Sequence, residues 1–471
     1  MITLKISQDE MLLAFIIFYL LITLLIGYWA SRRVKSTSDF VVAGRKLPLV
    51  VAGSALFATW FGSETIMGAP SEFVEGGLLS VMEDPFGAAL CLFLAGAFIA
   101  RPMYKLNILT FNDYYRLRYG RVTELMSAIL MVPSYFGWIA AQMLAMAIIL
   151  NVLMGLPIVW GVVICTVVVV IYTYTGGMWA VSVTDFVQTV VILAGLVVLA
   201  VQVGTEAGGV RAVIEAQPAG FFQFFPEKTL DGWATYIAAW ITIGLGSIPQ
   251  QDIFQRVMAA KDERTAVRSG YLGGVMYLSI GFIPLFIGLC AKLLHPDLLH
   301  DDPQKLLPMM TLKYGGLGVQ ILFFGAILSA ILSTTSGAVL APATVLGENI
   351  IRPLYKHISD EKLLKIMRLS VVGVALLSTG MALSGDSIFD LVAWSSVFSL
   401  VSLFVPLVFG LYWKRASSLG ALLAMAVGFI VWIFCEYVFP TELPTLIYGL
   451  LASVAGMLAG SWLRPDRHIQ I

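Results

Sequence analysis

Three short stretches hold the residues best suited to chemistry. The first, Ser54-Ala-Leu-Phe-Ala-Thr-Trp-Phe-Gly-Ser-Glu-Thr-Ile-Met-Gly-Ala-Pro70, places Thr59, Gly62, Ser63, Glu64 and Thr65 inside an apolar run. The second, Ile243-Gly-Leu-Gly-Ser-Ile-Pro-Gln-Gln-Asp252, places Gly244, Gly246, Ser247, Pro249, Gln250 and Gln251 in the middle of another. Glycine weakens a helix and proline removes a backbone donor. In a bilayer the backbone groups so freed must find other partners, and ions, water and a bound solute are such partners. The third stretch is Ala330-Ile-Leu-Ser333-Thr334-Thr335-Ser336-Gly337. A single Ser or Thr in an apolar helix bonds the carbonyl four residues back, but four consecutive hydroxyls cannot all share one helix face. Hard monovalent cations take several neutral oxygens. Ser333 and Thr334 opposite the first break would supply them, with carbonyls from the end of a half-helix.

The ionisable groups at depth are few. Glu64 is the sole acid deep in its run, and a charge at the bilayer centre costs at least ~2.5–3.5 kcal/mol, so it should face a cavity or a partner. Asp185, in Thr184-Asp185-Phe-Val-Gln188, reads either as a helix N-cap at the membrane surface or as an ion ligand on the inward path. Trp138 reads either as an interfacial anchor or as a pocket wall. Cys91, Cys165, Cys290 and Cys435 lie far apart in apolar runs without metal-ligand spacing. No nucleophile–base or metal constellation stands out. The expectation is therefore a chain that is not an enzyme, with no catalytic residue, no organic cofactor and no metal other than a coupling ion.

The elements that must hold these residues are membrane helices. Of 471 residues 59% are hydrophobic and 12% charged, with a mean hydropathy of +0.89; a soluble protein carries about 25% charged residues. The net charge of +0 gives no reason to expect nucleic acid. Thirteen apolar runs begin near residues 10, 48, 78, 121, 156, 180, 229, 267, 317, 361, 386, 416 and 443, each near the ~20 residues that a span needs. The run Met11–Ala30 has no small-residue cleavage motif and is read as a span, not a signal peptide. With the N-terminus outside and the C-terminus cytoplasmic, 23 of the 29 basic residues fall in cytoplasmic loops. An inner-membrane, multi-pass protein follows. The turn 174–184 carries no base and is the least marked of the connections. Glu72, Glu75, Glu83, Asp84, Asp297, Asp301 and Asp302 fall outside and read as solvated loop acids or, as the second reading, as groups that attract a cation.

The two breaks are five spans apart, so an odd number of helices inverts one unit relative to the other. Matching Gly/Pro breaks in inverted halves are the best sequence pointer to a midplane site. The whole chain, 1–471, is then a single transporter domain. Its first repeat is about 48–203 and its second about 229–412, with extra helices at about 10–30, 416–437 and 443–463.

At this point the residues resemble the sodium:solute symporter family, whose LeuT-type fold has two inverted five-helix repeats. Gly176-Gly177-Met-Trp-Ala-Val-Ser-Val-Thr184-Asp185-Phe-Val-Gln188 is similar to that family's GG…TD..Q segment, Gln251-Asp-Ile-Phe-Gln255-Arg256-Val-Met-Ala-Ala-Lys261 to the end of its seventh span, and Ser333-Thr334 to its hydroxyl pair. The resemblance implies a sodium site at Ala58, Phe61, Ala330, Ser333 and Thr334. Some members bind a second sodium, which here would fall on Asp185 and Ser336; the next hydroxyl of that set is Gly337 here. The segments Phe57-Ala-Thr-Trp60 and Gly246-Ser-Ile-Pro249 look most like the high-affinity choline transporter branch. Members of that branch hold a quaternary ammonium against aromatic faces. Trp60 and Trp138 match two cage positions, whereas Gln250 and Ala88 replace aromatics. Glu64 matches an acid of the sugar-transporting branch. The implied substrate pocket is Trp60, Glu64, Trp138, Gln142, Gln250 and Gln251.

The resulting expectation is sodium-coupled import of a small polar organic solute, a choline-like quaternary amine or alternatively an amino acid, sugar or carboxylate. A proton-coupled carrier using Glu64 or Asp185 is the alternative within the same fold. A membrane sensor is the other, for which an output domain after Arg467 would be needed.

Overall fold

The computed structural model describes residues 36–300, 302–355, 358–385 and 387–466, with scattered positions between 11 and 32. The first expected span, 10–30, therefore lies largely outside the described residues. What is described is helical, with an isolated bridge between Leu47 and Ala260. The helices are α1 Leu49–Trp60, α2 Glu64–Gly76, α3 Leu78–Lys105, α4 Phe111–Tyr119, α5 Arg121–Met154, α6 Ile158–Tyr174, α7 Val181–Glu206, α8 Leu230–Gly246, α9 Gln251–Ala259, α10 Glu263–Leu294, α11 Leu317–Leu354, α12 Asp360–Ala382, α13 Ile388–Tyr412, α14 Ser418–Tyr437 and α15 Thr445–Leu463.

Among the described residues nine helices are long and apolar enough to cross a membrane, ten when α1 and α2 are taken as one bent span. The expected thirteen are not all represented in that count. The first run lies largely outside the described residues, α6 is followed here only as far as Tyr174 of the helix Ile158–Glu206, and α8 and α9 are the two pieces of the second broken span. The expected turn 174–184 is present in an unexpected form. The backbone stays helical from Ile158 to Glu206, yet Tyr172 Oη lies 2.7 Å from Thr184 Oγ1. Twelve residues of straight helix would separate them by ~18 Å, so the chain doubles back between α6 and α7.

Composition dictates what faces outward. Val159, Trp160, Val163, Ile164, Val167 and Ile171 on α6, and Leu369, Leu376 and Leu377 on α12, are exposed. Such a surface suits lipid, because helices satisfy their own backbone and need only apolar contacts there. Small residues bring helices together where side chains would hold them apart. On α15, Gly449, Ser453, Gly456 and Gly460 form one stripe against α14; a Cβ on Gly456 would lie 2.9 Å from Leu423.

The short helix α4 pins one face of the bundle. Thr110 and Asp113 form a capping box at its start. Arg118 donates to the carbonyls of Gly410 and Ala416, and Tyr115 to that of Leu403. Asn349 near the end of α11 donates to Glu124, at 2.8 Å, and Asp113, at 3.3 Å. On that face a cavity of about 570 Å³ lies between Asp113, Arg116, Glu348 and Arg352. On the opposite face, where α12 ends and α13 begins, a cavity of about 910 Å³ lies between Asp231, Asp390, Trp394 and Glu436.

Candidate functional site

The first break is built by diverted backbone bonds. Helix α1 ends at Trp60, and α2 leaves at 57° to it. The amide of Gly62, which regular geometry would direct to Ala58, donates to the Trp60 carbonyl instead, at 2.7 Å. The amide of Ser63 donates to Gln142 Oε1 at 3.1 Å. The Ala58 carbonyl is thereby released, and the Thr334 hydroxyl from α11 donates to it at 2.9 Å.

Of the four consecutive hydroxyls on α11, two serve their own helix: Thr335 donates to Ile331 at 2.5 Å and Ser336 to Leu332 at 2.7 Å. The other two reach out. Thr334 meets Ala58, and Ser333 donates to Asp185 Oδ1 at 2.5 Å. The structure thus brings Ala58, Ser333, Thr334 and Asp185 together between α1, α7 and α11. Ala330 lies one turn below Ser333, and Phe61 caps α1 with its amide bonded to Phe57. These donors are neutral oxygens beside a carboxylate, a set that suits a hard monovalent cation.

Asp185 does not cap a helix; it lies within α7, 1% exposed, so the N-cap alternative fails. Its Oδ2 lies 3.7 Å from Arg256 Nη2, and both side chains are 1% exposed. Arg256 also donates to the Ala55 carbonyl at 3.1 Å. Gly337 makes room for this guanidinium, since a Cβ there would sit 2.6 Å from Nη2. Ser336, turned into its own helix, is not brought to Asp185.

The second break also frees its groups for a neighbour, here α13. The Gly246 carbonyl accepts from Ser399 at 2.5 Å, Gln250 Nε2 donates to Ser399 at 3.2 Å, and Ser247 and Ser396 hydroxyls are 3.1 Å apart. Gln250 itself is extended, with φ −93° and ψ 145°.

Between the two breaks lies a small cavity lined by Trp60, Glu64, Asp84, Ala88, Trp138, Ile243, Ser247, Gln250, Tyr277, Val392, Ser395 and Ser396, with a volume of about 10 Å³. That is room for a single water, so an organic guest enters only as the helices at the two breaks move apart. Glu64 is held by Trp138 Nε1 at 3.3 Å, Gln142 Nε2 at 2.8 Å and the Ser63 hydroxyl at 3.2 Å. Trp138 is thus a pocket residue, not an interfacial anchor. Gln251 is placed elsewhere: its Oε1 accepts from the Phe111 amide at 2.6 Å and its Nε2 donates to the Leu109 carbonyl at 3.3 Å, fastening the start of α4.

One correction changes the electrostatics. Asp84, expected among solvated loop acids, is fully buried and faces the cavity. Its Oδ2 is 2.8 Å from the Thr65 hydroxyl and 2.9 Å from Tyr277 Oη. Tyr277 Oη is also 3.2 Å from the Trp60 carbonyl, so one phenol ties the break to Asp84. The signal was present: Asp84 lies six residues inside the apolar run that starts at residue 78. Ser396 and Ser399 were hidden, because small hydroxyls in an apolar run do not announce a cross-helix role.

The profile of the family described as "Sodium:solute symporter family" matches residues 40–428. The chain is 28% identical to a high-affinity choline transporter of Caenorhabditis elegans over 89% of its own length and 77% of the relative's. It is 30% identical to the osmoregulated proline transporter OpuE of Bacillus subtilis, over 93% of this chain and 92% of that one. A solved structure of a Na+-coupled sialic acid symporter, in a substrate-bound outward-open state, superposes with a TM-score of 0.84 at 20% identity, covering 98% of this chain and 99% of that one. At that identity the likeness speaks for the fold, an all-helical transporter bundle, and the family match supplies the rest: the chain belongs to the sodium:solute symporter family.

Proposed function

We propose that this chain is an inner-membrane symporter that couples sodium movement to import of a small polar organic solute, with its N-terminus outside and its C-terminus cytoplasmic. The observation that carries the site is the split among four adjacent hydroxyls: two bond their own helix, while Ser333 and Thr334 turn to Asp185 and the released Ala58 carbonyl. Sodium would be held by the Ala58 and Phe61 carbonyls, Ala330, and the Ser333 and Thr334 hydroxyls. That position lies across the interface of α1 with α11, so a bound ion favours the arrangement in which these helices are close. The solute would sit at Trp60, Glu64, Trp138, Gln142 and Gln250, between the two breaks. Sodium and solute then raise each other's affinity by one common factor.

A single sodium per cycle is the stoichiometry that the geometry supports. The second-sodium position, Asp185 with Ser336, already has its charge met by Arg256, and Ser336 is engaged by Leu332. The choline and proline transporters among the relatives make a quaternary amine or an amino acid the first solutes to try.

The test is uptake by the Ser333→Ala, Thr334→Ala double variant in proteoliposomes. Sodium activation is expected to disappear while the fold, judged by thermal melting, persists. Unchanged sodium activation would sink the site. Uptake that follows a pH gradient without sodium would favour the proton-coupled alternative through Glu64 or Asp185.

A further inference from the structure

The central cavity carries two acids and no base. Among the described residues that line it, Glu64 and Asp84 are carboxylates, and none is Lys, Arg or His. Both are buried, Glu64 at 2% exposure and Asp84 at 0%. The two acids are not equally provided for. Both oxygens of Glu64 have donors, from Trp138, Gln142 and Ser63. Asp84 has hydroxyls at Oδ2 alone; its Oδ1 is buried without a hydrogen-bond partner. A buried carboxylate oxygen without a donor is costly, and a solute that donates to it recovers that cost.

We propose that Asp84 is the specificity-determining anchor of this pocket, and that the solute is an organic cation bearing an N–H, a protonated primary, secondary or tertiary amine. This inference rests on the symport reading above and narrows its solute. Two features select the class. A cavity lined by two carboxyl groups and, among the described residues, no base favours a positively charged guest over a free carboxylate, which would bring a second negative group where no base waits. The unpartnered Oδ1 favours a guest that donates. A quaternary ammonium meets the charge but not the oxygen. Trp60 and Trp138 then hold the alkyl part of the guest by the faces that attract cations, and Gln250 and Ser247 are left for a second polar group on it. Glu64, already saturated, holds Trp138 and Gln142 in place.

The experiment uses the full-length protein in detergent with sodium, and four probes of similar size: ethanolamine, N,N-dimethylethanolamine, choline and the neutral isostere 3,3-dimethylbutan-1-ol. Thermal shift and competition binding are read for each. The two protonated amines are expected to bind about tenfold or more tightly than choline, and the neutral alcohol not to bind. Asp84→Asn is expected to erase the gap by weakening the amines alone, with the shift caused by sodium retained as the sign that the variant is folded. If that variant does not fold, the ranking of the four probes on the unmodified protein decides alone. Choline equal to or better than the amines overturns the proposal, as does undiminished amine binding in Asp84→Asn. Tighter binding of a sugar, a carboxylate or the neutral alcohol also overturns it while leaving symport intact. The absence of any sodium-dependent stabilisation, with any probe or with proline, fails the symport reading instead.

Discussion

Gln142 and Gln251 are the same residue type in two different occupations, and the difference is measurable. Gln142 links the break to the pocket: its Oε1 accepts the Ser63 amide and its Nε2 donates to Glu64. Gln142→Leu keeps the volume and strands both partners. We expect a loss of about 3 kcal/mol, since a buried amide and a buried carboxylate each lose a bond worth ~1–3 kcal/mol, seen as a lower melting temperature together with lower solute affinity. Gln250→Ala should raise the KM for solute with little change in melting. Gln251→Ala should do the reverse, lowering the melting temperature with KM unchanged, because its bonds go to the backbone of Leu109 and Phe111. Equal effects of the two neighbours on KM would place Gln251 in the pocket after all. At this scale the sequence was legible where chemistry conflicts with apolarity: Glu64 stood out because a charge is expensive in a bilayer, and Ser333 and Thr334 because four hydroxyls in a row cannot all serve their own helix. Direction was not legible. Which of four hydroxyls leaves its own helix, and which of two adjacent glutamines faces inward, depends on a backbone break whose geometry spacing alone does not give.

The helices meet through glycines at particular heights, and these divide into two kinds. Gly246 ends α8 against α13; an added Cβ would collide with the Ser396 carbonyl. Gly246→Ala should therefore push α13 away from the second break and reduce transport at saturating solute, measured as initial uptake rate. Gly373, on an exposed turn of α12, has no neighbour within 4 Å of such a Cβ. Gly373→Ala should leave transport unchanged and stabilise by about 0.5–1 kcal/mol, the entropy that a helical glycine costs. The breaks themselves were readable, because Gly, Pro and polar residues interrupt apolar runs. The reversal between α6 and α7 was hardly marked in composition, and its position is set by the Tyr172–Thr184 contact instead.

For the molecule as a whole, the proposed orientation follows from basic residues and can be checked directly. A fluorescent protein fused after Ile471 should be bright, as folding in the cytoplasm allows, and a phosphatase fused there should be inactive. The opposite pair of results would invert the bundle and place the cavity beside Asp113 and Arg352 outside. A global property also follows from one small bond. The Thr334 hydroxyl and the Ala58 carbonyl satisfy one another at 2.9 Å, so the ion that we place there must displace an internal partner before it is held. A carrier has to make a return journey without cargo, and unpaired groups at bilayer depth would make that leg prohibitively slow. Here Thr334 and Ala58 can satisfy each other whenever no ion lies between them. That internal pair joins the same two helices that the ion would join, so Thr334→Val, which removes both the pair and an ion ligand, should lower net uptake and solute exchange alike and weaken the sodium dependence of both.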